Sequence, residues 1–168
     1  EYDEITKVIY PRYQAALRNF RAYDFDDLVC EVARIWAEKT EVLRRWQETY
    51  RYILVDEYQD TNGAQMALLR QLAAQHKNLC VVGDDDQAIY AWRGADVKNI
   101  LSFEEHFPGA IVIKLEQNYR STAPILALAN SVIDKRSDSK HKKVLFTDKP
   151  GGEKPRVAAL GSPESEAA

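Results

Sequence analysis

Long hydrophobic runs are missing from this 168-residue chain: nothing approaches the roughly 18 to 20 apolar residues of a membrane helix, which excludes a spanning segment. Glu1 to Tyr10 has neither the basic start nor the apolar stretch of a signal peptide, so the expectation is a cytoplasmic protein. Cysteine is nearly absent. Cys30 and Cys80 lie in apolar surroundings of the sequence with no CxxC, and His76, His106 and His141 are scattered, which disfavours a disulfide scaffold and a zinc site. Charge of one sign is also lacking: 23 basic and 26 acidic residues leave a net charge of -3, so any nucleic-acid contact must be local. Glycine is scarce, and none of Gly63, Gly83, Gly94, Gly109, Gly151, Gly152 and Gly161 opens a GxxxxGK[ST] phosphate loop.

With 45% hydrophobic and 29% charged residues, the chain has the composition of an ordinary soluble globular protein. Its length predicts one domain with a real core, burying roughly 70% of the surface of the unfolded chain. Asp3 to Phe20 carries helical spacing interrupted by Pro11, which leaves two short helices or one kinked helix open. Phe25 to Glu38 predicts a helix capped by Asp24, with Leu28, Val29, Val32, Ile35 and Trp36 on one face. Glu41 to Tyr50 predicts another short helix. Tyr52 to Val55 and Leu79 to Val82 are short apolar runs of the kind buried on both faces of a parallel sheet. Between them Asn62 caps a helix, with Gln65 three residues on and Met66, Leu69, Leu72 and Ala73 facing inward. Asp96 to Glu105 reads as helical, Ile111 to Leu115 as a third strand, and Arg156 to Leu160 as a last strand. Thr122 caps a further helix through Ile125, Leu128, Ala129, Val132 and Ile133, with Pro124 in its first turn. This alternation predicts an α/β fold with a mostly parallel sheet, whose ligands gather at the carboxyl ends of the strands.

Three polar clusters fall at such ends. In Ile53-Leu54-Val55-Asp56-Glu57-Tyr58-Gln59-Asp60, a strand delivers adjacent carboxylates, one suited to Mg²⁺ and the other free to orient or deprotonate a water. A solvated loop or a helix cap is the plainer reading of a bare apolar-Asp-Glu tetrapeptide, and Gln59 and Asp60 sharpen the signal without proving it. In Gly83-Asp84-Asp85-Asp86-Gln87, the three aspartates alone decide nothing. Tyr90, Trp92 and Arg93 say more, because aromatic faces stack on bases and arginine stacks or binds phosphate. The alternative is that Trp92 anchors a core and Arg93 is its surface neighbour. In Glu116-Gln117-Asn118-Tyr119-Arg120-Ser121, Arg120 could reach a terminal phosphate across a cleft, or could be a plain loop arginine. Lys135, Arg136, Lys140, Lys142, Lys143 and Lys149 outnumber Asp138 and Asp148, a solvated face with backbone phosphate as a conceivable partner.

LVDEYQDTN, GDDDQAIYAWRGAD and LEQNYRS, in this order, resemble motifs II, III and IV of the UvrD/Rep/PcrA group of superfamily 1 DNA helicases, and YDFDDLV at Tyr23 to Val29 is similar to the short motif those enzymes carry before motif II. The tryptophan of IYAWRGAD points to that group rather than to the RecB/AddA nuclease-helicases. The resemblance implies that Asp56 holds Mg²⁺, with Glu57 beside it as a second metal candidate and as the base that activates water. It implies that Gln87 senses the γ-phosphate, Tyr119 lies against adenine and Arg120 is an arginine finger. Tyr90, Trp92 and Arg93 would face single-stranded DNA, with Trp92 stacking on a base. ATP is then the substrate, and closure of a cleft on it would move the aromatic platform along the strand.

Departures from the group's pattern qualify this. The phosphate loop and the later motifs V and VI are not in the sequence, and Ala88 and Ala91 stand where relatives more often carry serine and a small or polar residue. The chain therefore resembles an internal slice of a longer helicase. Residues 1-22 would end an inserted helical subdomain, 23-115 form the carboxyl half of a first RecA-like domain, and 116-168 begin a second. The fold expected is incomplete RecA-like parallel sheets with flanking helices, exposing apolar edges and prone to dimerise or swap segments. The implied activity is ATP-dependent 3′ to 5′ translocation on single-stranded DNA, with duplex unwinding at single/double-strand junctions in repair or replication. The isolated slice should be inactive. A non-catalytic DNA-binding or regulatory module derived from a helicase core is the alternative.

Overall fold

The computed structural model describes residues 2-135, 142-159 and 161. Two compact units divide in sequence between Phe103 and Glu104. The first contains α1 (Tyr2–Phe20), α2 (Phe25–Glu38), α3 (Thr40–Thr49), β1 (Ile53–Val55), α4 (Gly63–Ala73), β2 (Leu79–Val81) and α5 (Lys98–Leu101). α6 (Phe103–His106) spans the division, and α7 (Ala123–Ile133) belongs to the second unit. The expected helix over Asp96 to Glu105 is thus two short ones, separated at Ser102. Among the described residues no helix is long and apolar enough to cross a membrane.

α1 runs as one element through Pro11, whose ring nitrogen leaves one rung of the helix ladder unmade. α2 starts on a reciprocal cap. Asp24 Oδ1 accepts the Asp27 N–H at 2.8 Å, and Asp27 Oδ2 accepts the Asp24 N–H at 3.1 Å. The Tyr13 hydroxyl adds a bond to Asp24 Oδ2 at 2.9 Å. The Asp27 backbone N–H first, and the Tyr13 hydroxyl second, hold the Asp24 carboxyl below its ordinary value. A carboxyl lowered on folding stabilises the fold above its ordinary range and loses that contribution as pH falls through the lowered value. Hydrogen-exchange protection in the first turn of α2 is therefore expected to decline below about pH 4. Asp24→Asn, which caps without titrating, should flatten that decline.

α4 carries the same device. Asn62 Oδ1 accepts the Gln65 N–H at 2.9 Å, and Gln65 Oε1 accepts the Asn62 N–H at 3.0 Å. Asn62→Ala is expected to weaken this helix start by about 1 kcal/mol, read as roughly fivefold faster exchange of its first-turn amides. Unchanged exchange would mean that tertiary packing alone holds the start of α4.

α2 packs on α4, and α3 on both. Trp36, Met66 and Ala73 are buried, while Val29, Val32, Ile35, Leu69 and Leu72 are half-buried and Leu28 is exposed. Two amides tie the helices: Gln47 Nε2 donates to the Gln71 carbonyl at 2.7 Å, and Gln71 Nε2 to the Ala33 carbonyl at 3.2 Å. Tyr58 is fully buried; its hydroxyl donates to Met66 Sδ at 3.0 Å, and its ring meets Phe103 edge-on at 5.5 Å. Burial pushes the Tyr58 hydroxyl pKa up, with Arg70 opposing.

β1 and β2 pair in parallel, with Ile53 opposite Leu79, Leu54 opposite Cys80 and Val55 opposite Val81. Burial on both faces is not found. The pleat sends Leu54 and Cys80 to one face, where Leu54 is 79% exposed, while Ile53, Val55, Leu79 and Val81 on the other are half-buried. Cys30 and Cys80 are both exposed and unpaired, not enclosed by apolar neighbours.

In the second unit, Leu126 of α7 is buried, and Asn130 reads the Leu145 backbone in both directions, donating to its carbonyl at 2.8 Å and accepting its N–H at 3.1 Å. Gln117 and Phe146 form an isolated parallel bridge. Ile111 to Leu115 forms no strand. A strand needs a hydrogen-bonded neighbour, and these residues have no ladder partner among the described ones; Ile111, Ile113 and Leu115 are exposed. Residues 156-159 also lie outside any strand, and Leu160 lies outside the described residues. Of the basic run, Lys135, Lys142 and Lys149 are exposed and Lys143 is half-buried; Arg136, Lys140 and Asp138 lie outside the described residues, as does His141. Thr122 occupies the position before α7 but makes no side-chain cap bond. Gly152 approaches so closely that a Cβ there would meet Thr122 Oγ1, so the hydroxyl faces another segment.

Candidate functional site

The parallel register brings two of the three clusters together. Beyond the last strand pair the ladder continues, with the Val82 N–H on the Val55 carbonyl at 2.8 Å and the Tyr58 N–H on the Val82 carbonyl at 3.0 Å. Asp56 and Glu57 therefore leave β1 beside the Gly83 and Asp84 that leave β2. Glu57 has φ 50° and ψ 43°, a left-handed conformation uncommon outside glycine, and the short turn Tyr58–Asp60 follows. Its N–H is held by Asp56 Oδ1 at 2.9 Å. Both residues are exposed.

Behind them lies Gln59, 1% exposed. Its Nε2 donates to Glu57 Oε2 at 2.8 Å and lies 3.4 Å from Asp60 Oδ2, while its Oε1 accepts the Asp84 N–H at 3.0 Å. Asp84 in turn organises its own loop: its Oδ1 accepts the Asp86 N–H at 3.0 Å and its Oδ2 the Gln87 Nε2 at 2.7 Å. Gln87 is exposed on that loop. The carboxylates of Asp84, Asp85 and Asp86 lie within 4.8 Å of one another, with Asp85 buried.

A second link joins β1 to the aromatic segment. Thr61, buried, accepts the Asp96 N–H at 3.0 Å and the Asn99 Nδ2 at 3.0 Å through its carbonyl, and Asn62 bridges Ala95. Just before these anchors the chain makes the turn Ala91–Arg93, closed by Gly94 at φ 84°. That left-handed angle, not lack of room, calls for glycine there, since nothing lies within 4 Å of a Cβ. Trp92 is 79% exposed, which rejects the reading of it as a core anchor. The Tyr90 and Trp92 rings lie 6.2 Å apart at 52°, and the Arg93 guanidinium is 5.7 Å from both ring centres.

The third cluster belongs to the second unit. Asn118 Oδ1 accepts the N–H groups of Arg120 at 2.9 Å and Ser121 at 2.7 Å, a turn made by the side chain. Lys149 Nζ caps the Arg120 carbonyl at 3.0 Å. The Tyr119 hydroxyl donates to Gln117 Oε1 at 2.8 Å, and Gln117 Nε2 to Asp148 Oδ2 at 2.7 Å. Tyr119 is 74% exposed and Arg120 is exposed.

The sequence singled out the carboxylates, Gln87 and the aromatics, but gave Gln59 no role and did not foresee Thr61 and Asn99 as ties. The only sequence signal for Gln59 is its place two residues after Glu57. The donor set suits Mg²⁺: Asp56 offers a hard, exposed carboxylate oxygen at a strand end, beside a second carboxylate, and that ion takes most of its other ligands from water and phosphate.

Comparison with known proteins bears on the class. Residues 1-108 match the UvrD/REP helicase N-terminal domain, and the chain belongs to that family. It is 50% identical over 163 residues to a probable DNA helicase II homolog of Rickettsia conorii, covering 97% of this chain and 25% of that protein. It is 51% identical over 151 residues to the ATP-dependent DNA helicase PcrA of Bacillus subtilis, covering 90% of this chain and 20% of that one. Against PcrA of Staphylococcus aureus it is 50% identical over 153 residues, with 91% and 21% covered. The chain spans a fifth to a quarter of the length of these relatives.

Proposed function

We propose that these residues are the part of an ATP-dependent DNA helicase in which hydrolysis meets the DNA strand. In this reading residues 1-22 end an inserted helical subdomain, 23-115 form the carboxyl half of a first RecA-like domain, and 116-168 open a second. The sequences LVDEYQDTN, GDDDQAIYAWRGAD and LEQNYRS act as motifs II, III and IV. The loop that cradles the phosphates is supplied by a part of the polypeptide outside this sequence, so the 168 residues alone do not hydrolyse ATP. The bound Mg²⁺ neutralises developing charge on the phosphates. Asp56 would hold it, with Glu57 as a second candidate ligand. Glu57 positions and deprotonates the attacking water, Gln87 responds to the γ-phosphate, Tyr119 lies against the base of ATP and Arg120 reaches the transferring phosphoryl group. Tyr90, Trp92 and Arg93 hold single-stranded DNA by stacking, a mode that tolerates any sequence.

The observation that carries this reading is the arrangement around Asp84. One short loop is tied through the Gln59 amide to the carboxylate that handles water. Six to nine residues after Asp84, the same chain presents an exposed Tyr90, Trp92 and Arg93 platform anchored to the exit of β1. Coupling of hydrolysis to movement on DNA needs such proximity. The test is Mg²⁺-dependent ATP hydrolysis by the complete polypeptide with and without single-stranded DNA, with strand displacement from a 3′ or a 5′ tail as the second readout. DNA-stimulated hydrolysis and displacement from the 3′ tail are expected. Hydrolysis indifferent to single-stranded DNA would sink the reading, and displacement only from the 5′ tail would reverse the polarity.

A further inference from the structure

We infer that Gln59 is a positioning residue: its buried amide clamps the Glu57 carboxylate to the backbone of the loop leaving β2, so that the water-activating group is aimed by the loop that carries Gln87. The inference rests on the proposed role of Glu57 and goes beyond it, since Gln59 touches neither nucleotide nor water in that scheme.

The orientation of the amide follows from its partners. The Asp84 N–H can only donate, so the Gln59 atom facing it is the carbonyl oxygen, at 3.0 Å. The NH₂ group is thereby turned to Glu57 Oε2, at 2.8 Å. Glu57 has little freedom to respond in any other way. Its backbone sits in the left-handed region and its N–H is already held by Asp56. A hydrogen bond to one carboxylate oxygen then fixes the direction of the other. With the amide 1% exposed, water does not compete for these bonds.

Gly83 is an independent sign that space is reserved for this amide. A Cβ at that position would lie 2.7 Å from Gln59 Oε1, 2.9 Å from Ile100 Cδ1 and 3.2 Å from the Tyr58 nitrogen. No positive φ calls for glycine at 83; the slot does. The link also has a second end. Asp84 holds the Gln87 amide through its own carboxylate at 2.7 Å, so a shift of Gln87 moves Asp84, and a shift of Asp84 moves Gln59. A glutamine suits the position because one planar group accepts from a backbone N–H and donates to a carboxylate. Glutamate keeps the first bond and sets a second negative charge against Glu57, with Asp56, Asp60 and Asp84 also nearby. Leucine removes both bonds.

The experiment measures kcat and KM for ATP in DNA-stimulated hydrolysis by the complete polypeptide. It compares the native protein with Gln59→Leu, Gln59→Glu, Gly83→Ala and, as reference, Glu57→Gln, with thermal unfolding of each. Gln59→Leu is expected to lower kcat roughly 10- to 100-fold, the usual effect of losing a group that orients a catalytic one. KM for ATP should stay within about twofold, because Gln59 does not contact nucleotide. Gln59→Glu keeps the bond from the Asp84 N–H but loses the donor to Glu57, and should lower kcat with KM likewise little changed. Gly83→Ala keeps every polar group, displaces the amide, and should lower kcat in the same sense even if Gln59→Leu does not fold. Unchanged kcat in the folded Gln59 and Gly83 variants overturns the inference, as does a loss that follows only the folded fraction or one that appears in KM rather than kcat. If Glu57→Gln is inactive while the Gln59 variants match the native protein, the Gln59 inference alone fails. If Glu57→Gln remains active, the reading of the site fails and takes the inference with it.

Discussion

Replacing Glu57 by glutamine in the complete polypeptide is expected to lower the rate of DNA-stimulated ATP hydrolysis by about 10²- to 10⁴-fold, the contribution of a positioned general base. The substitution is close to isosteric and leaves the geometry of the β1 exit in place. The left-handed backbone at Glu57 does not depend on the side-chain charge, Asp56 still accepts the residue's N–H, and the glutamine carbonyl oxygen can still accept from Gln59 Nε2. What disappears is the acceptor for a proton of the attacking water. Nucleotide affinity should change little, because Asp56, the carboxylate assigned to Mg²⁺, is untouched. The split between an unchanged KM and a collapsed kcat separates loss of chemistry from loss of binding. Phosphate release in a single turnover checks it directly. Retention of more than about a tenth of the native rate would place the base elsewhere, since one general base supplies more than that.

The parts of this fold legible in the sequence are those decided within a few residues. Asp24 and Asn62 cap their helices as the sequence predicts, Asn62 with Gln65 three residues on, while the reciprocal bond from Asp27 to Asp24 is an addition of the structure. The strands at Ile53–Val55 and Leu79–Val81 are likewise found, because short apolar runs ended by acidic residues or glycine have few other solutions. The inward faces of the helices were legible in Trp36, Met66 and Ala73, but burial of the strands was not. Leu54 and Cys80 lie in apolar runs, yet their face of the sheet is uncovered, and which face is covered depends on helices far away in sequence. Ile111 to Leu115 fails as a strand for a related reason: apolar residues mark the capacity to pair, while pairing needs a neighbour. In the site, the carboxylates and the aromatics announce themselves by chemistry. Gln59 does not, because its meaning comes from the register that sets Asp84 beside it, twenty-five residues later.

Trp92→Ala is expected to weaken binding of single-stranded DNA by the complete polypeptide about 5- to 150-fold, corresponding to loss of one base stack worth roughly 1 to 3 kcal/mol. The side chain is 79% exposed, so its removal leaves no cavity and should not change thermal stability. Tyr90 and Arg93 stay in place through the bonds of the turn itself, with the Arg93 N–H on the Tyr90 carbonyl at 2.9 Å and the Gly94 N–H on the Ala91 carbonyl at 3.0 Å. Salt dependence distinguishes the roles of neighbours. Stacking releases no counterions, so Trp92→Ala should lower affinity equally at low and high salt, whereas Arg93→Ala should flatten the slope of log affinity against log salt by up to about 0.7, the share of one phosphate on a single strand. The same variant also bears on coupling. If Trp92 is the contact through which the strand is moved, hydrolysis in the absence of DNA should be unaffected, and the DNA concentration needed for half-maximal stimulation should rise with the loss of affinity. Unchanged affinity in Trp92→Ala would remove Trp92, the more exposed of the two rings in this segment, as the stacking contact of the scheme.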